Sequence, residues 1–170
     1  MIRRALSQDI DDIMSIVYGA QQSLRELGID QWQDGYPKRE SIEEDITKEV
    51  GYVATNNEVI TGYAAIVLSG EPAYQQIADN WHCGDKYVAV HRLCTSATHR
   101  RKGVAIELMR HAAILSRKAG YQAFRIDTHK GNIRMLSMLQ KLGFSYTGII
   151  RYDSGERVAF ELNLDLSNTL

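Results

Sequence analysis

The stretch YVAVHRLCTSATHRRKGVAIELM, residues 87–109, changes character twice along its length. Tyr87 to Cys94 is a β-prone run and reads as a strand. Arg100, Arg101 and Lys102 then place three cations directly before Gly103. From there apolar residues recur at helical spacing, at Ala105, Leu108, Met109, Ala112, Leu115 and Ala119, and Gly120 closes the helix. A helix start leaves backbone N–H groups without acceptors and carries partial positive charge, so an anion is favoured there. Gly103 has no Cβ to hold the anion away, and arginine can fork onto two phosphate oxygens. A diphosphate suits this arrangement. The spacing is neither that of a P-loop nor of a dinucleotide fingerprint. Taken alone, the same turn reads equally well as a solvated basic corner.

The flanking segments extend the pattern. Ile2 to Leu6 is a short apolar start, and Ser7 is placed to cap a helix with Asp9, Asp11 and Asp12 in its first turn. Ile10, Ile13, Met14, Val17, Ala20, Leu24 and Leu27 share one helical face, and Gly28 ends it. Asp30 to Pro37 reads as a loop and residues 38–50 as a polar helix. Tyr52–Thr55 and Val59–Leu68 form a hairpin turned at Asn56 and Asn57. Ser69 to Lys86 has no clear period and reads as a long loop with one helical turn. Beyond the central helix come a strand at Ala123–Asp127, a helix capped by Asn132 and closed by Gly143, and a hairpin of Tyr146–Tyr152 with Arg157–Asn163. The order predicts a single domain over residues 1–170: an α/β (α+β) fold with a mixed, largely antiparallel sheet of about seven strands flanked by about four helices.

Composition narrows the function. The chain has 170 residues, 44% hydrophobic and 24% charged, with a net charge of −1. That is a globular composition, and no overall field draws it to nucleic acid. No apolar run reaches membrane-spanning length, and the N-terminus lacks the uninterrupted apolar core of a signal peptide. Cys83 and Cys94 have no metal-ligand spacing and read as free thiols of a reducing cytoplasm, with a disulfide between them as the lesser alternative. No metal is expected.

A strand, Arg100-x-x-Gly103-x-Ala105, a long helix, a strand, an Asn-capped helix and KLGF at Lys141–Phe144 together resemble the GNAT family of N-acetyltransferases. The resemblance runs along nearly the whole chain and is most specific over residues 87–163. It implies acetyl-CoA as cosubstrate, with its diphosphate held by Arg100, Arg101, Lys102, Gly103, Val104 and Ala105. It implies main-chain contacts from Leu93, Cys94 and Thr95 to the pantetheine arm, which adds like an extra strand, and a contact from Asn132. The segments QWQDGYP, YVAVHRL and GERVAFE look like a bacterial subgroup of acetyltransferases whose substrates are not characterised. Dimers are frequent among such proteins, so a homodimer is compatible with this chain.

The expected reaction moves an acetyl group to a primary amine of a small molecule or peptide, by direct transfer in a ternary complex. Amines are mostly protonated at neutral pH, so a proton acceptor is needed. His91 lies where arylalkylamine acetyltransferases carry a proton-relay histidine, and the resemblance implies that role; an unperturbed pKa of about 6.5 would suit it. A histidine bonded inside the sheet is the other reading, and His129 is a further candidate. The family's usual acid is a tyrosine in the helix before Gly-Phe, where this chain has Leu139. Tyr146, Ser137 and Cys94 are the nearest substitutes, with water and backbone N–H groups alone as the alternative, and Cys94 as an acyl carrier is the less favoured mechanism. Trp32, Tyr36 and Trp81 are candidates for lining the acceptor pocket, and Asp30, Asp34, Asp79 and Asp85 for attracting a cationic amine. The missing tyrosine also keeps open a second reading, a non-catalytic CoA-responsive binding or regulatory module on the same fold.

Overall fold

A computed structural model describes residues 1–68, 70–166 and 170. Its strands are β1 (Ile2–Arg4), β2 (Gly51–Asn56), β3 (Val59–Val67), β4 (Tyr87–Thr95), β5 (Ala123–Thr128), β6 (Ser145–Tyr152) and β7 (Gly155–Asn163). Its α-helices are α1 (Ile10–Glu26), α2 (Arg39–Thr47), α3 (Val104–Lys118) and α4 (Ile133–Lys141). The strand order is β1-β2-β3-β4-β5-β7-β6. β1–β2, β2–β3, β5–β7 and β6–β7 pair antiparallel, while β4 and β5 run parallel, so the mixed, largely antiparallel sheet expected from the sequence is present.

The chain divides into two compact units, Met1–Ile66 with Val90–His111, and Val67–Ala89 with Ala112–Leu170. In the first, α1 covers β2 and β3 with Ile10, Ile13, Met14, Ile16 and Val17, joined by Ile42 of α2, Val53, Tyr63 and Cys94. The apolar face read from the sequence is therefore the buried one. Gly62 allows the start of α3 to lie close to β3 and β4: a Cβ there would come within 2.7 Å of Val104 Cγ1 and 3.1 Å of the Cys94 carbonyl oxygen. Any larger residue would push the basic turn away from its strand.

Two local expectations shift. Ser7 does not cap α1. A 3-10 turn over Ser7–Asp9 precedes the helix, and the Asp9 carboxylate accepts the Leu6 N–H at 2.8 Å and the Arg3 guanidinium at 2.6 and 2.9 Å. The charge-assisted Arg3–Asp9 pair fixes that turn instead, and α1 begins without a side-chain cap. The β2–β3 turn also moves by one residue: Asn57 and Glu58 both have positive φ, 48° and 67°. That pair is what the twist of a two-residue hairpin demands.

In the second unit β5 pairs in parallel with Tyr87–Ala89 and antiparallel with β7, which carries β6 on its other side. The loop without periodicity contains a 3-10 segment, Pro72–Asn80, capped by the Glu71 carboxylate; Ser69 lies outside the described residues. Gly148, next to an irregular register in β6, makes room for Ile77 and Asn80 of that segment. Tyr74, Tyr87, Ala89, Ala123, Ile150 and Ala159 form the core.

Candidate active site

The basic turn has the geometry of an anion cradle. Residues 100–103 turn between a 3-10 segment at Ala97–His99 and α3, with Arg101 at φ 63° and Gly103 at φ 83°. The Gly103 carbonyl accepts the Glu107 N–H at 3.0 Å, the first bond of the helix. The N–H groups of the first helical turn therefore have no acceptor within the helix. A Cβ on Gly103 would meet no heavy atom within 4 Å apart from its chain neighbours, so open space lies beside the turn. Arg101 and Lys102 are exposed, and Arg100 reaches back to the Gly19 carbonyl at 3.4 Å. Val104 is buried against Gly62, anchoring the end of the turn. The donor set is backbone N–H groups with adjacent guanidinium and ammonium groups, which fits a diphosphate.

Just upstream, β4 carries a conformation that its sequence does not announce. Arg92 sits at φ 54°, left-handed backbone inside a strand, which for a non-glycine residue costs about 1–3 kcal/mol. Its side chain compensates. Nε donates to Asp45 Oδ2 at 2.7 Å, Nη2 to Asp45 Oδ1 at 2.5 Å, and Nη1 to the Tyr36 hydroxyl at 2.5 Å. Asp45, 3% exposed on α2, also accepts the Tyr63 hydroxyl at 2.6 Å. Burial works against the Arg92 charge, but Tyr36 and Asp45 more than offset it and raise its pKa. Nothing local marks Asp45 or Arg92 in the sequence, because their pairing joins residues 47 apart.

The predicted residues divide between the units. His91, Leu93, Cys94, Thr95 and the 100–105 turn belong to the first, with Trp32 and Tyr36; Trp81, Asn132 and Tyr146 belong to the second. His91 is half-buried, and that burial, with the Arg92 charge next to it, holds its pKa down at about 4, well below the ordinary value of 6.5. The imidazole is therefore neutral throughout the physiological range. Cys94 is 5% exposed, and burial pushes its thiol up to about 12. Such a thiol stays protonated at neutral pH and is a poor nucleophile. Trp32 packs against the core of the first unit, and Tyr36 is 40% exposed.

Within the second unit, Trp81 donates its indole N–H to the Tyr74 carbonyl at 3.0 Å and covers the Arg125 guanidinium at 4.4 Å, with Tyr87 on that cation at 4.1 Å. Arg125 is itself paired with buried Glu161 at 3.0 Å. Asn132 caps α4 through the Met135 N–H and donates to Thr128 Oγ1 at 3.2 Å, as a cap should. Tyr146 is 58% exposed and meets Phe160 edge to face, while Leu139 is fully buried. Sequence reasoning also missed Asp127, whose Oδ2 accepts the hydroxyls of Tyr74 and Tyr152 at 3.0 Å each; burial raises its pKa. Among the described residues no group of three or more His, Cys, Asp or Glu is placed to hold a metal, and no helix is long and apolar enough to cross a membrane.

The fold is shared with an acetyltransferase of known structure. The chain belongs to the acetyltransferase (GNAT) family, whose model matches residues 18–144. A GNAT-family acetyltransferase structure from Streptococcus agalactiae is 33% identical, with a TM-score of 0.85 over 96% of this chain and 94% of the other. A GNAT-family acetyltransferase from Listeria monocytogenes shares the fold at 18% identity, with a TM-score of 0.73 over 96% and 94% of the two chains. An N-acetyltransferase from Staphylococcus aureus does so at 20% identity, with a TM-score of 0.67 over 96% and 98%. No match is found among curated proteins.

Proposed function

We propose that this acetyltransferase uses acetyl-CoA and delivers the acetyl group to a primary amine of a small molecule or peptide, by direct transfer in a ternary complex. The open turn at Gly103 carries this reading: its φ of 83°, the open space beside it and the flanking cations together describe a diphosphate seat. Arg100, Arg101 and Lys102 supply charge, and the N–H groups at the start of α3 supply directed donors. The parallel pairing of β4 with β5 covers Tyr87–Ala89. Leu93, Cys94 and Thr95 lie past those residues, and their main chain is proposed to meet the pantetheine arm. Asn132 is proposed to contact the same arm while capping its helix.

Acetyl-CoA supplies an activated thioester; the chain's own groups handle the protons. His91, neutral at its depressed pKa, accepts a hydrogen bond from the incoming amine or from a water that carries the proton away. A base this weak acts by relay rather than by holding the proton. Leu139 has no proton to give, so the thiolate is proposed to draw one from exposed Tyr146 or from solvent. The inert Cys94 thiol favours direct transfer over an acyl-enzyme. Trp32 and Tyr36 are proposed to line the acceptor side, with Trp81 the weaker member of that set. We place the protein in the cytoplasm, free of nucleic acid and metal, as one domain able to form a homodimer.

The deciding experiment measures release of CoA thiol from acetyl-CoA across amines, amino acids, polyamines and peptides. Turnover with at least one amine, lost in Arg100→Ala, is the expected result. If acetyl-CoA raises the melting temperature and no acceptor releases thiol, Leu139 takes on another meaning: the chain is a CoA-responsive binding module.

A further inference from the structure

All three guanidinium nitrogens of Arg92 are committed, and they are committed to different parts of the first unit. Asp45 brings α2, and through the Tyr63 hydroxyl it also brings β3. Tyr36 brings the 30–37 segment, its hydroxyl on Nη1 and its ring centroid 5.9 Å from the guanidinium carbon. The residue so held is the one whose backbone leaves the strand conformation, with His91 before it and Leu93–Thr95 after it. We propose that Arg92 is a positioning residue, one that fixes the Trp32–Tyr36 acceptor segment to β4 at the junction between the proton-relay histidine and the pantetheine-contacting main chain.

The inference rests on the acetyl-transfer reading and adds a residue with a distinct job. A left-handed residue inside a strand turns its neighbours out of simple alternation, so the direction of His91 and of the Leu93 amide depends on whether that turn is kept. The carboxylate of Asp45 keeps it by gripping the side chain from a buried and already satisfied position. The planar fork of arginine meets both carboxylate oxygens and still has a donor for Tyr36; a lysine ammonium cannot span the three. An acceptor amine placed by Trp32 and Tyr36 is thereby referenced to the strand that presents the thioester. The diphosphate turn at 100–103 has separate contacts, so the clamp should reach cofactor affinity only through the Leu93–Thr95 main chain, and acceptor kinetics far more strongly.

The test compares Arg92→Lys, Arg92→Gly, Asp45→Asn and Tyr36→Phe with the wild type. Glycine accepts φ 54° without strain, so Arg92→Gly separates the backbone turn from the clamp. In the Arg92 and Asp45 variants kcat/KM for the acceptor should fall by about a hundredfold, the scale of a displacement of about 1 Å at a reacting centre. Acetyl-CoA affinity by calorimetry should fall far less, by no more than about tenfold. Tyr36→Phe, on a 40% exposed side chain that can fold without its hydroxyl, should raise acceptor KM severalfold with little change in kcat.

Hydrogen exchange supplies a readout independent of turnover. Peptides covering residues 30–37 and 89–96 should exchange faster together in Asp45→Asn and Arg92→Lys, while β5 and β7 keep wild-type protection. Exchange rising in only one of the two segments, or in neither, overturns the proposal. So does an Arg92→Gly variant with wild-type acceptor kinetics, since the turn alone would then suffice. A wild-type enzyme that acetylates no amine would instead sink the acetyl-transfer reading, while the exchange measurement would still decide the clamp.

Discussion

Replacing Gly103 is the sharpest probe of the cradle, because two costs there can be separated. Gly103→Ala imposes a side chain on φ 83° without adding charge, and a Cβ in the left-handed region costs about 1 kcal/mol. The methyl group faces open space, so the effect is mainly on stability, with at most about a tenfold loss of acetyl-CoA affinity. Gly103→Glu adds a carboxylate to the same strain. With that carboxylate about 5 Å from a diphosphate of about two charges, and an effective dielectric constant between that of a protein surface and bulk water, Coulomb repulsion amounts to about 3 kcal/mol. The glutamate variant should therefore bind acetyl-CoA about a hundredfold more weakly than the alanine variant. Titration calorimetry of both variants at low salt and at about 1 M salt measures the gap, which should shrink as the screening length falls to about 3 Å. A gap below about threefold at low salt, or one indifferent to salt, would refute a diphosphate seat at this turn.

Three further outcomes are expected. His91, with a folded pKa of about 4 against 6.5 for the free group, binds fewer protons folded than unfolded between those values. Its stability contribution is therefore complete above about pH 6.5 and is lost as pH falls towards 4, up to about 3 kcal/mol; denaturation of His91→Gln should show a flatter stability curve across that window, and an unchanged slope would contradict the depressed pKa. Cys94 should resist iodoacetamide at pH 8 until the chain is unfolded, and Cys94→Ala should keep most of the turnover; an acetyl group recovered on Cys94 would reverse the choice of mechanism. Leu139→Tyr, which restores the family's tyrosine at a fully buried position, should lower the melting temperature by several degrees, as overpacking costs about 1–3 kcal/mol, without raising kcat. Faster turnover at an unchanged melting temperature would show that the site was waiting for that hydroxyl.

Features built from neighbours in sequence were legible in the sequence alone. The face of α1, the Asn132 cap, the glycine ending α4 and the turn at Gly103 all rest on contacts within a few residues, where periodicity, capping chemistry and φ preference act. Even the misplacements were local contests: a 3-10 turn fixed by Asp9 with Arg3 and the Leu6 N–H replaced a Ser7 cap, and the hairpin turn moved from Asn56–Asn57 to Asn57–Glu58 to keep both turn residues left-handed. The arrangement of the site was another matter. Arg92 meets Asp45 across 47 residues and Tyr36 across 56, and Gly62 matters only because Val104 arrives against it. The pKa of His91 follows from burial that no sequence pattern states. The sequence by itself determined the basic turn at the start of α3 and the elements that surround it, since those depend on local chemistry. Only the tertiary structure decided that β4 is held out of regular form by a buried ion pair, because strain at one residue is tolerated only when distant groups converge to offset it.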